Sequence, residues 1–339
     1  MLPEQELAGT DLGNGPEPSA PAYEPSVAAP TKPRSLDLVG ARNWFFLLSL
    51  IIIIPGIISM ATQGFLLGID FQGGTQFELK FAHNPSLIEV QSAVSAQGVS
   101  GVVQQTGSGS FLIRTGSIDP THQAQFENAL GARLGAVDQV SVGYVGPTIA
   151  AEIIQNAIIA IVAASSLILI YLAFRFRKVQ GGVRSGVQFG GSALLALLHD
   201  VFLVCGIFSI LGKGIPFLGL HGSQLGQVDS LFLTAVLTVI GFSVHDTIVI
   251  FDRIRENMIV SQRLSFEQVV NLSIMQSAAR SIITSFTVVL VLLSLFLFGG
   301  ETLKGFVLAL LVGIVSGTYS SIFNASPLLV VWRRLQPVR

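Results

Sequence analysis

Six apolar runs dominate this chain, and each is long enough for a helix to cross a hydrocarbon layer, which takes about 20 residues. They fall at residues 44–67, 149–174, 187–211, 231–251, 282–299 and 305–332. Backbone in lipid must satisfy its own hydrogen bonds, so only helices and closed barrels can span; runs of this length select helices. The sequence predicts a polytopic α-helical membrane protein with six transmembrane helices. Only 12% of the residues are charged, against 50% that are hydrophobic.

Basic residues orient the spans. Lys32, Arg34 and Arg42 precede the first, and Arg175, Arg177, Lys178 and Arg184 separate the second from the third. Arg253, Arg255, Arg263 and Arg280 lie between the fourth and fifth, and Arg333, Arg334 and Arg339 end the chain. Only Lys80, Arg114, Arg133, Lys213 and Lys304 fall on the other side. The positive-inside rule then predicts cytoplasmic termini and an external loop after the first span.

The domain boundaries follow. Residues 1–41 hold seven of the fourteen prolines and few large apolar side chains, which predicts a disordered cytosolic tail. The first span, 42–67, is not a cleavable signal, because its apolar segment starts late and runs to full spanning length. Residues 148–332 carry spans two to six, and 333–339 form a second cytosolic tail. The external segment, 68–147, is long enough for a small domain. Its alternation predicts a strand at 71–81, a helix at 85–97 and a hairpin, 102–106 with 111–115, around Gly107-Ser108-Gly109. A helix at 120–134 follows, with Asp119 as N-cap and Pro120 at the first helical position, then a strand at 137–145. The order βαββαβ is the ferredoxin-like α+β arrangement. Gly73-Gly74 marks a bulge or a close backbone approach.

Ionisable groups inside spans are costly and are read first as functional. Asp246 stands in the fourth run, one to two turns from its cytosolic end. Arg280 stands at the cytosolic mouth of the fifth, so the two match in depth. Ser277, Ser281, Thr284 and Ser285 make a polar stripe beside Arg280 at spacings of three and four. Low dielectric pushes a carboxyl toward its neutral form, and a guanidinium pulls it back; together they place a proton carrier within reach of neutral pH. The competing reading is a static ion pair, or an aspartate bonded for packing. His199-Asp200 in the third span gives a second acidic site, and His245 precedes Asp246. Adjacent helical residues point about 100° apart, so His199 and Asp200 cannot face one partner equally. Neither His-Asp pair has the spacing that aims two metal ligands from one helix face.

Several other classes find no support. The net charge of −1 gives no reason to expect nucleic acid. The single cysteine, Cys205, excludes a disulfide framework. No nucleophile–base pair or cofactor loop stands out, so no enzyme, metal or cofactor is expected. Gly305, Ala309, Gly313, Gly317 and Ser321 recur every fourth residue in the last run and predict close helix packing. The charged cluster 252–257 reads most simply as a solvated cytosolic end.

The run Gly68-Ile69-Asp70-Phe71-Gln72-Gly73-Gly74-Thr75 resembles the signature of the SecF family of protein translocase subunits. So do Val145-Gly146-Pro147, His199-Asp200, residues 241–257 and residues 276–285, in order from about residue 40 to the end. The resemblance implies the architecture of half an RND-type exporter, completed by SecD in a bacterial cytoplasmic (inner) membrane, with its α+β domain outside. It implies use of the proton motive force, with H+ or alternatively Na+ as coupling ion. The work done is to draw preproteins across after SecA and SecYEG have started them. By the same resemblance Asp246 and Arg280 are the functional acid and base. His245 departs from the asparagine common there, and Ala150 from a glycine. Two other readings stand beside this one: an RND-type exporter half for small molecules or lipids, and an assembly subunit without proton flow.

Overall fold

The computed structural model describes residues 37–99, 101–106, 109–179, 182–215 and 220–337. The predicted tail before residue 37, with Lys32 and Arg34, lies outside the described residues, as do Gly107-Ser108 in the hairpin turn and the final Arg339.

In chain order the elements are α1 (Arg42–Thr62), β1 (Leu66–Leu67), α2 (Ile69–Gln72), β2 (Gly74–Phe81), α3 (Leu87–Ser95), β3 (Gly101–Gln105), β4 (Phe111–Thr115), α4 (Pro120–Leu134), β5 (Val137–Val145), α5 (Pro147–Arg175), α6 (Gly182–Lys213), β6 (Gly214–Ile215), β7 (Leu220–His221), β8 (Gln227–Val228), α7 (Ser230–Val260), α8 (Phe266–Phe298), α9 (Lys304–Ser320) and α10 (Ser326–Leu335). A π-helical turn, Ser321–Ala325, joins the last two. Six helical stretches are long and apolar enough to cross a membrane: α1, α5, α6, α7, α8 and the continuous stretch of α9 and α10.

The α+β domain has sheet order β3-β4-β2-β5, all antiparallel, which is the ferredoxin-like order for βαββαβ. Phe77, Leu79 and Phe81 alternate into its core against Val90 and Val94 of α3 and Phe126 and Leu130 of α4. Ser86 and Glu89 form a capping box that starts α3: the Ser86 N–H donates to Glu89 Oε2 at 2.7 Å and the Glu89 N–H to Ser86 Oγ at 3.4 Å. Asp119 occupies the N-cap of α4 as expected but its side chain makes no capping bond; Pro120 supplies the start.

One predicted strand is shorter than expected. Residues 69–72 coil into α2, and β2 begins only at Gly74. Gly73, at φ +70°, ends the short helix, and a Cβ there would lie 3.3 Å from Pro147 Cα. Gly74, at φ +125°, passes the Thr115 carbonyl so closely that any Cβ would clash with it. The glycine pair thus provides the close approach read from sequence, at a helix-to-strand junction.

Within the bundle, α1 packs on α6 through facing glycines: a Cβ on Gly56 would lie 2.7 Å from Gly206 Cα. One turn on, Ser59 Oγ and Ser209 Oγ are 2.7 Å apart. α1 ends at Thr62, short of the predicted 67, because Leu66–Leu67 pairs in parallel with β8. α7 and α8 run well past their apolar limits, to Val260 and from Phe266. Their far ends are tied together rather than merely solvated. Arg175 of α5 donates to Asp252 at 2.9 Å, and the buried Asn257 donates to Ser273 and Gln276, both at 2.9 Å.

At the domain end of α7, Asp229 caps the helix, accepting from the Phe232 N–H at 2.8 Å. Burial pushes the Asp229 carboxyl above its ordinary value of 3.8, and the charge of Asp70 adds to the rise. A carboxyl with a raised folded pKa opposes folding while ionised. That penalty is absent below the unfolded value and appears as pH climbs through the folded one. Asp229→Asn keeps the capping acceptor and removes the charge. At pH 7 its unfolding midpoint in detergent should exceed that of the wild type, and the gap should close as pH falls toward 4. Asp229→Ala should instead lose about 1 kcal/mol with the cap.

Candidate functional site

Helices α6, α7 and α9 meet around one carboxylate. α9 comes close to α7 because Gly313 faces Val239 and Gly317 faces Ser243; a Cβ on Gly317 would lie 3.0 Å from Ser243 Cβ. The small-residue stripe therefore packs as predicted. It brings hydroxyls to Asp200, which is 1% exposed on α6. Ser316 Oγ donates to Asp200 Oδ1, and Ser243 and Ser320 Oγ donate to Oδ2, each at 2.6 Å. His199 Nδ1 lies 3.0 Å from Oδ1. A carboxylate offers about four acceptor sites, so this one is filled.

Asp246 follows Ser243 by three residues and so shares its face of α7. It is 6% exposed, and among the described residues its carboxylate accepts from one hydroxyl, Ser321 Oγ, donating to Oδ2 at 2.6 Å. Ser320 and Ser321 are consecutive, so neighbouring hydroxyls reach the two acids.

Ser321 opens the π turn. Pro327 has no N–H to offer the Phe323 carbonyl four residues back; separately, Ser326 Oγ donates to the Ser321 carbonyl at 3.1 Å. Such turns recur at functional sites. This one swings Asn324 toward α1, where its Nδ2 donates to Ser49 Oγ at 3.0 Å. Tyr319 OH donates to the Phe45 carbonyl at 2.9 Å and its ring stacks on His199, centroids 6.2 Å apart. His199 Nε2 is buried and has no hydrogen-bond partner among the described residues. The histidine borders a cavity of about 250 Å³ between α1 and α6, lined by Ser49, Leu50, Leu195 and Asn324.

The other sequence candidates separate. Arg280 is not brought to Asp246: no carboxylate of the described residues lies within 4 Å of its guanidinium. It lines a cavity of about 430 Å³ between the far ends of α7 and α8, with Val249, Asp252, Glu256 and Gln276. In the stripe beside it, Ser277, Ser281 and Ser285 turn inward, and Ser285 Oγ lies 2.5 Å from Thr318 Oγ1, whereas Thr284 is exposed. Depth counted along a helix gives height, not azimuth. His245 points outward from α7 and has no hydrogen bond or ion pair among the described residues, so it stands apart from the Asp246 carboxylate. The serines around Asp200 were missed in sequence, where a serine in a span reads as a small packing residue. The available signal was their spacing: Ser316 and Ser320 stand four apart on the helix of the small-residue stripe, and Ser243 stands one turn before Asp246.

A family model described as protein export membrane protein SecD/SecF, C-terminal, matches residues 125–335, and one for the SecD/SecF GG motif matches 58–84. The protein translocase subunit SecF of Thermobaculum terrenum is 46% identical over 310 residues, covering 88% of this chain and 94% of that protein. The chain belongs to the SecF family of protein translocase subunits. The SecF subunit of Anaerolinea thermophila is 42% identical, with 88% and 94% covered. Among solved structures, that of SecDF from Thermus thermophilus, described as a translocon-associated membrane protein, superposes with a TM-score of 0.75 at 31% identity. It covers 88% of this chain, and the chain spans 39% of its length. SecDF in its super-membrane-facing form gives 0.63 at 30% identity, again spanning 39% of that protein. Family and six apolar helices together make this a multi-pass membrane component of protein transport.

The unequal settings of the two acids predict unequal consequences. Asp200→Ala strips three buried hydroxyls of their acceptor and should cost about 2–4 kcal/mol, read as a lowered unfolding midpoint in detergent. Asp246→Asn, losing at most one hydrogen bond, should shift that midpoint by under about 1 kcal/mol.

Proposed function

We propose that this chain is the SecF half of a gradient-driven engine for preprotein export, with Asp246 as its proton carrier. The observation that carries this reading is the contrast between the acids. Asp200 is saturated by donors and serves as a fixed anion; Asp246 accepts one hydroxyl and keeps room for a proton. Protonating a carboxylate enclosed by donors would forfeit several charge-assisted bonds. Protonating Asp246 forfeits little.

The coupling ion is H+ on the same grounds. Hydroxyls that already turn their hydrogens toward the carboxylates suit proton exchange better than the bare oxygen cage that Na+ needs. The positive-inside bias supports an orientation with the far end of the bundle and both chain termini in the cytoplasm and the α+β domain outside the inner membrane. The Arg280 cavity then faces the cytoplasm.

SecD is the partner that completes the site. Thr234, Thr238, Gly241 and His245 of α7, and Gln276, Arg280, Thr284 and Thr287 of α8, form two exposed polar stripes on adjacent helices. The threonine hydroxyls are satisfied by their own helices. His245 and Arg280 are not so satisfied, and a surface of that kind favours a protein neighbour over lipid. The chain covers 39% of the SecDF proteins it matches, which leaves room for such a neighbour. Working with SecD, SecYEG and SecA, the engine would spend about 2.3 kcal/mol per charge and 100 mV on repacking α7 when Asp246 is protonated, shifting the external domain against a preprotein.

The test is preprotein translocation into vesicles under an imposed proton gradient, with the chain paired with its SecD. Asp246→Asn should abolish gradient-dependent stimulation while the complex still assembles, and Arg280→Gln should do the same. Stimulation by a Na+ gradient alone would replace the ion. Lost assembly in Asp246→Asn would favour the purely structural subunit.

A further inference from the structure

The α+β domain is hydrogen-bonded to the first residue of the helix that carries Asp246. The contact is made by the segment running into the glycine pair. Asp70 of α2 accepts at Oδ2 from the Ser230 N–H, 2.8 Å away, and from Ser230 Oγ, 2.5 Å away, so it holds the first residue of α7. β1 pairs in parallel with β8, the strand leading into α7, and the Gly68 N–H donates to the Val228 carbonyl at 2.8 Å. A Cβ on Gly68 would sit 2.6 Å from Gln227 Nε2 and 3.0 Å from Asp229 Cβ, so a side chain there would displace the Gln227 amide. From the sheet itself, Arg114 of β4 donates to Gln227 Oε1 at 2.7 Å and to Gln104 of β3 at 3.2 Å. The sheet, the glycine segment and the start of α7 are thereby one hydrogen-bonded unit.

Between Ser230 and Asp246, α7 is unbroken helix, about 24 Å at 1.5 Å per residue. The domain's covalent tethers are α1 and α5, and neither carries Asp200 or Asp246. A direct hydrogen-bonded route from the Asp246 helix to the domain therefore runs through the latch at the first turn of α7, beside the α5 tether that Arg175 ties to Asp252.

We infer that Asp70, with Arg114 bracing Gln227, is the positioning residue that transmits motion of the Asp246 helix to the external domain. It touches no proton carrier; it acts through α7. The inference rests on the proton-coupling reading above, and its test separates the two.

Hydrogen–deuterium exchange is measured on the full chain with SecD in membranes, for wild type, Asp246→Asn, Asp70→Ala and the double variant. Asp246→Asn stands in for the protonated acid. It should change exchange both in the first turns of α7 and in β4 of the domain. Adding Asp70→Ala should leave the α7 change and abolish the β4 change. Gradient-driven translocation by Asp70→Ala should fall at least tenfold, with proton uptake by the vesicles retained. Asp70→Asn keeps an acceptor for Ser230 and should recover at least half of the stimulation.

A β4 response that persists without Asp70, or wild-type translocation by assembled Asp70→Ala, overturns the inference and leaves the coupling reading intact. Wild type without gradient stimulation overturns the coupling reading, whereas the exchange data still decide whether Asp70 links the two ends. If Asp70→Ala does not assemble, Arg114→Gln takes its place in the same four-way comparison, and an unchanged β4 response there counts against the latch.

Discussion

Holding one carboxylate in a hydrocarbon-spanning bundle sets the terms for the rest of this structure. A charge there is tolerable only if its acceptor sites are filled from within the protein. Asp200 fills them with hydroxyls from two other helices, each 2.6 Å away. That distance requires α9 to lie against α7 with no side chain between, which Gly313 and Gly317 provide. The glycine stripe, the serine positions and the depth of the aspartate are therefore one requirement met by three helices. It also fixes where Ser321 and Asp246 stand.

α7 is the element in which these constraints accumulate. Asp229 and Asp70 bind its first turn, the serine–carboxylate seam holds its middle, and Asp252 and Asn257 bind its far end to α5 and α8. Between those points its buried face is Phe232, Ala235, Val236, Val239 and Ile240 against the bundle core, which gives packing without directional bonds. Directional contacts at the ends and seam, with apolar surface between, suit a helix that shifts as a rigid body: the apolar stretches tolerate small slides, and the polar contacts define the positions between which it moves.

The sequence disclosed the parts of this design that depend on one dimension. Hydropathy located the six spans, period-two alternation located β2 to β5, and a four-residue repeat located the packing stripe of α9. Where two segments distant in sequence decide the outcome, it was silent. The pairing of β1 with β8 is two residues long, too short for any periodic signal, and it is what ends the first helix early. The strand predicted at 71–81 rests on the period-two spacing of Phe77, Leu79 and Phe81, which carries no sign that the turn at Gly73 starts the strand only at Gly74. The capping boxes at Ser86 and Ser265, which start α3 and α8, and the proline behind the π turn are signals of the same one-dimensional kind. Asp246 and Arg280 matched in depth, but which way each points depends on neighbours that no count along a helix supplies.

That separation has its own physical logic. Enclosed together in low dielectric, a guanidinium and a carboxylate would hold each other charged, and breaking the pair would leave an uncompensated buried ion at a cost of several kcal/mol. An acid so paired could not exchange a proton within the few kcal/mol that a membrane potential supplies. Among the described residues Asp246 has a single neutral hydroxyl, and Arg280 stands at the edge of a polar cavity one helix away. The arginine's positive charge is thus available to whatever negative group approaches α7 and α8 from outside the chain. The proposed coupling with SecD calls for such an arrangement, because a partner's movement would then decide when the charge is met.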